Sequence, residues 1–194
     1  MKYVLTLFCF FAFLNVDAQV KPIYFGSQNK LITDSTNAVF YGLTGKVSGN
    51  DFWILKKYDL WNNIVETGYF KDEQLTIEHG KFTYYAFIDI FNIKYDTDFP
   101  YKNKDRFVAE EGEFNNGKKV GKWLTFYPNG KIRTIIHYID GKMDGKYRLF
   151  DIDGKISITG QLKNDSKDGL WLYQDGLAEA YKVGILIGAK YISN

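Results

Sequence analysis

The sequence predicts an all-β protein, an elongated stack of β-hairpin repeats of about 24 residues each that together form a twisted single-layer sheet. Three observations carry that reading. Gly121-Lys122-Trp123 returns as Gly145-Lys146-Tyr147 and again as Gly169-Leu170-Trp171, 24 residues apart each time, with an earlier copy at Gly80-Lys81-Phe82. A turn signal travels with it: Pro128-Asn129-Gly130-Lys131 is matched by Ile152-Asp153-Gly154-Lys155 and, two residues early, by Gln174-Asp175-Gly176. Between the markers the chain alternates, with Ile132, Thr134, Ile136 and Tyr138 on one face and Arg133, Ile135 and His137 on the other. A period of two marks a strand.

From the N-terminus, Lys2 precedes an apolar run over residues 3–14, and Val16-Asp17-Ala18 supplies small residues before Gln19. This is the pattern of a secretory signal peptide, residues 1–18, cleaved between Ala18 and Gln19. The run is too short to span a bilayer. Cys9, the one cysteine, lies inside it, so the cleaved chain would carry neither disulfide nor thiol. An export address follows: periplasm, outer surface or medium.

Residues 19–51 read as an N-terminal cap holding a degenerate hairpin, with 22–25 and 38–41 as its strands. Solenoid ends need such covers because a terminal unit otherwise exposes an apolar face. Residues 52–194 read as the repeats: 52–72, 80–116, 117–140, 141–164, 165–183 and a terminal half-unit at 184–194. In the second of these, 82–91 is an almost wholly apolar strand and 107–114 its partner, with a polar insert over 92–106.

Within one unit the local chemistry agrees with the period. Trp123-Leu124-Thr125-Phe126-Tyr127 joins aromatic and β-branched residues of high strand propensity to an immediate turn. Pro-Asn-Gly suits a type I turn closed by a glycine bulge, because proline presets φ and glycine takes the left-handed position. The structural positions of the repeat are therefore Gly80, Gly121, Gly145 and Gly169, the aromatics Trp123, Tyr147 and Trp171, and the turn glycines Gly130 and Gly154.

The stretch Glu111-Gly112-Glu113-Phe114-Asn115-Asn116-Gly117-Lys118-Lys119-Val120-Gly121-Lys122-Trp123 resembles the MORN repeat, and more closely its bacterial variant. Glu111 stands where that pattern begins with Tyr, and Ile136 replaces a Gly. The resemblance implies stacked hairpins. It also implies two roles: an antitoxin-like or immunity-type protein that neutralises a toxic partner, and weak association with phospholipid or a membrane surface.

Function is far less legible than fold. Gly117 and Gly121 followed by Lys122 suggest a phosphate loop, but only three residues separate the glycines and Trp123 cannot ligate a metal ion. His79 and His137 occupy different phases of the repeat, so nothing in the pattern makes them converge. Asp96-Thr97-Asp98 and Asp151-Ile152-Asp153-Gly154 lack the further oxygen ligands and closing Glu of a calcium loop. We therefore expect no catalytic residues, no cofactor and no metal. A net charge of +2 lacks the footprint of a nucleic-acid binder.

What remains is an exported, non-enzymatic binding or scaffold module for a protein or glycan partner. The candidate binding residues are Tyr95, Phe99 and Tyr101 in the insert, because insertions in repeat proteins map to loops on one face, often the binding face. The lysines Lys81, Lys122 and Lys146 recur at one phase and form a row, which solvates a sheet edge or offers an anion strip.

Overall fold

A computed structural model describes residues 21–100 and 105–192. The expected signal peptide at 1–18 and the candidate Tyr101 lie outside the described residues. The chain forms β1 (Lys21–Phe25), β2 (Leu31–Ile32), β3 (Phe40–Lys46), β4 (Trp53–Asp59), β5 (Ile64–Phe70), β6 (Gly80–Phe87), one helix α1 (Ile88–Tyr95) and β7 (Arg106–Asn115). It continues through β8 (Lys118–Phe126), β9 (Ile132–Ile139), β10 (Lys142–Phe150), β11 (Ile156–Lys163), β12 (Ser166–Tyr173), β13 (Leu177–Lys182) and β14 (Ile185–Tyr191). All the strands belong to one open antiparallel sheet of 14, in chain order from β14 to β3 and then β1 and β2.

Two turn chemistries alternate along the sheet. Between β8 and β9 the Gly130 N–H donates to the Tyr127 carbonyl at 2.8 Å, and Gly130 holds φ +82°. That is the expected type I turn with its left-handed closing residue. Between β7 and β8 the turn is only Asn116-Gly117, both with positive φ, a type I′ geometry whose twist matches that of the strands. Each two-residue turn also docks on the strand before it. The Gly141 N–H donates to the Lys119 carbonyl at 2.9 Å, the Asp165 N–H to that of Met143 at 2.9 Å, and the Gly184 N–H to that of Lys167 at 2.7 Å. Successive hairpins are thus stacked by backbone as well as by side chains.

Gly121, at φ +65°, sits in a register shift between β7 and β8 where three residues, Gly121 to Trp123, oppose the single Gly112. The bulge swings Trp123 over Gly112, where an added Cβ would lie 2.2 Å from the indole. Trp171 covers Gly160 and Phe82 covers Gly68 in the same way. Each aromatic thereby buries itself on the neighbouring strand instead of needing a second sheet. Phe25, Leu55, Phe70, Phe82 and Trp123 form the main core on this face, called the inner face below.

One expectation is corrected. Residues 82–91 are not one strand: β6 ends at Phe87, and α1 places Ile88 and Phe91 on Phe107, with Asp96 closing the helix in the left-handed conformation. Ile88 and Phe91 stand at helical spacing, and burying that pair on the sheet outweighs the β-branched residues' strand preference. The first residues of the insert, 92–95, belong to that helix. The Asn92 side chain accepts from the N–H of Phe99 and donates to its carbonyl, both at 3.0 Å, clamping the chain after the helix. β3 pairs with β4 along its whole length from Phe40 to Lys46, so pairing is continuous from residues 19–51 into the first repeat.

Candidate functional site

The inner face divides into a covered half and an open half. In the first, the Lys57 ammonium is buried 4.5 Å above the Phe25 ring and 4.7 Å above that of Phe40, and it lies 3.6 Å from Glu66. Burial depresses the Lys57 pKa and raises that of Glu66, and the attraction between the two opposes both shifts. Farther along, Ala86 shares the face of Phe82 and Tyr84, and α1 lies over it. The Phe91 ring meets Phe107 edge-on at 5.3 Å and Tyr127 at 6.0 Å.

Beyond α1 the same face carries a second repeated group that the marker glycines conceal. Lys119, Met143 and Lys167 are spaced by 24, as are Gly112, Ile136 and Gly160, and Trp123, Tyr147 and Trp171. Where glycine is present the aromatic is tryptophan, almost fully buried, with a lysine over its ring: 3.7 Å for Lys119 on Trp123 and 4.7 Å for Lys167 on Trp171. The indole N–H groups donate to the Glu113 and Gln161 carbonyls at 3.2 and 3.1 Å. Where isoleucine stands, the set becomes Met143, Ile136 and a half-buried Tyr147. Tyr147 pairs directly with Ile136, which carries a side chain at the position left bare by Gly112 and Gly160.

The two lysines differ in their partners. Lys119 donates to Glu110 at 2.6 Å. At the position equivalent to Glu110 the last unit has Ile158, and Lys167 turns instead to the Tyr173 hydroxyl at 2.6 Å, with the Tyr181 hydroxyl at 3.3 Å and Glu179 at 3.5 Å. Both tyrosine hydroxyls donate to Glu179, that of Tyr181 at 2.9 Å. These hydrogen bonds, Tyr173's first, lower the Glu179 pKa. Burial acts against the Lys167 charge, but the tyrosine hydroxyls outweigh it and raise its pKa. Met143, Tyr147, Lys167, Trp171 and Tyr173 line a shallow trough of about 280 Å³ on this half of the face.

The residues singled out from sequence are distributed differently. Phe99 is buried with Phe91 and Phe107, so it is a core residue rather than a contact surface. Tyr95 is exposed, with the Arg133 guanidinium 4.1 Å from its ring centre. Lys81, Lys122 and Lys146 are exposed on the opposite, outer face from Trp123. There Lys81 pairs with Glu111 at 3.0 Å, and Lys81 and Lys122 flank a depression that also holds Glu113. The row is therefore mixed in sign along that depression. His79 stacks on Phe52 at 4.9 Å, while the His137 ring bonds the Lys146 carbonyl at 3.0 Å. Among the described residues no group of three or more His, Cys, Asp or Glu side chains is gathered closely enough to hold a metal ion.

No protein-family model matches the chain, and no curated protein matches it.

Proposed function

We propose that the chain is an exported, non-enzymatic binding module of MORN-like hairpins that holds a protein or glycan partner along the open inner face of its last repeats. The observation that supports this is the uncovered trough, where Tyr147, Tyr173 and Tyr181 are half-buried around the Lys167–Glu179 pair. Half-buried tyrosines present a flat apolar face and a polar tip at little cost in conformational entropy, which suits a sugar ring or a peptide side chain equally. An open trough also suits an extended ligand better than a small molecule, which prefers an enclosed pocket.

The test combines address and binding. Fractionation of the host with intact-mass measurement should find a chain beginning at Gln19 outside the cytosol. Tyr147→Ala and Tyr173→Ala should each weaken binding to envelope glycans or proteins by about tenfold or more, while Lys122→Ala and Lys146→Ala leave it unchanged. Loss of binding in the outer-face lysine variants alone would overturn the assignment. Full-length protein in the cytosol would overturn the export.

A further inference from the structure

The two edges of the sheet are built differently. The N-terminal edge is β2, two residues long and followed by a polar turn in which Asp34 accepts from the Thr36 N–H and hydroxyl at 2.9 and 2.8 Å. Short, polar edges of this kind block pairing with another chain. The other edge is β14, seven residues long, with no strand beyond it among the described residues. Ile185, Ile187 and Tyr191 are 69%, 65% and 71% exposed.

Alignment of the repeats shows what β14 lacks. Its Gly188 occupies the place of Gly121, Gly145 and Gly169, so Ile185-Leu186-Ile187 correspond to Lys118-Lys119-Val120, Lys142-Met143-Asp144 and Ser166-Lys167-Asp168. Every inner copy carries charge on this segment, and the edge copy carries none. In the inner copies the strand from the marker glycine onward pairs outward: Gly121 to Leu124 with β9, and Gly169 to Leu172 with β13. The Lys119 and Lys167 carbonyls also accept a hydrogen bond from the next turn. In β14 the equivalent residues, 188–191, pair inward with β13, and their outward side meets no strand among the described residues. An exposed edge whose first half, Ile185 to Ile187, is apolar and uncharged is a template for another strand.

We propose that this edge pairs antiparallel with the same edge of a second copy of the chain, extending the sheet through a two-fold axis. The sequence of β14 is complementary to itself in that arrangement. With the axis through the Ala189 pair, Ala189 faces its own copy, Gly188 of one copy faces Lys190 of the other, and Ile187 faces Tyr191. Lys190 is the only charged residue of β14, so no like charges stand opposite. A Cβ on Gly188 would have nothing within 4 Å, which leaves room for the facing Lys190 stem. Isologous contacts of this kind close after two copies and do not propagate, since the opposite edge is blunted.

The chain, with its N-terminus as the host leaves it, should sediment at twice its single-chain mass and dissociate reversibly on dilution. Ile185→Lys combined with Ile187→Asp puts the residues of Lys142 and Asp144 onto the edge. It should raise the dimer dissociation constant by about tenfold or more with the circular dichroism unchanged. Independently of that variant's folding, Ala189→Cys in a Cys9→Ser background should form an intermolecular disulfide under mild oxidation, and Leu31→Cys at the other edge should not. A monomer at every concentration overturns the proposal. So does a dimer that survives the edge variant and fails to cross-link through Ala189→Cys, and so does a monomer that binds only a different protein along β14.

Discussion

Replacing Gly112 with alanine tests how the sheet makes a core without a second layer. The new methyl would sit 2.2 Å from Cδ2 and 2.3 Å from Cε2 of Trp123. Carbon atoms at rest are about 3.5 to 4.0 Å apart, so the indole must withdraw by more than about 1 Å. It has little freedom to do so: Phe114 meets it edge-on at 5.1 Å, Tyr138 at 6.0 Å, and Lys119 stands 3.7 Å above the ring. Overpacking of this kind costs about 1–3 kcal/mol. Displacing the indole N–H from the Glu113 carbonyl adds about 1 kcal/mol, for roughly 2–4 kcal/mol in all. Gly121→Ala is the control. Nothing lies within 4 Å of its added methyl, but φ is +65°, so it should lose only the left-handed backbone penalty of about 1–2 kcal/mol. Urea unfolding followed by far-ultraviolet circular dichroism measures both. In a Trp123→Leu background the Gly112→Ala penalty should largely vanish, a coupling that a double-mutant cycle reads directly. A Gly112→Ala protein within about 0.5 kcal/mol of the parent, or an unchanged penalty in the Trp123→Leu background, would refute the packing argument.

Trp171→Ala should destabilise by about 3–5 kcal/mol, and Tyr147→Ala by clearly less, because that ring is only half-buried over Ile136; equal losses in thermal unfolding would contradict the distinction. Asp59 is buried, accepts from the Trp61 and Asn63 N–H groups at 3.0 and 2.8 Å, and pairs with Arg106. Asp59→Ala leaves that guanidinium buried without its carboxylate and should cost about 3–5 kcal/mol. Burial alone would raise the Asp59 pKa, but the bonds from Asn63 and Trp61 and the Arg106 charge outweigh it and leave it lowered. A lowered folded-state pKa means stability that is present above the unfolded value, about 3.9, and lost as pH falls through the folded one. Asp59→Asn should therefore flatten the acid side of the stability curve, and an unchanged acid limb in a pH series of urea midpoints would exclude this residue as a contributor.

What could be read in the sequence was whatever has a local physical cause. Gly121, Gly145 and Gly169 recur because the bulge needs a residue at positive φ, and Pro128-Asn129-Gly130 recurs in kind because a type I turn needs that chemistry. Alternation over 132–138 marks a strand because the pleat has a period of two. The strands and the all-β sheet followed from these causes. The period of two separates two faces but does not say which is covered. The conspicuous lysines Lys81, Lys122 and Lys146 proved to stand on the outer face, while Lys119 and Lys167, in the same 24-residue register, lie over the tryptophans. That pairing was legible only as a third coincidence of spacing, and its meaning depends on Gly112 and Gly160 in the adjacent strand. The run from Phe82 to Phe91 had no local signal strong enough to mark where strand becomes helix. Packing of Ile88 and Phe91 on Phe107 decided it, and the same packing drew Phe99 inward, because burying a nonlocal aromatic cluster outweighs the preference of any short window of chain.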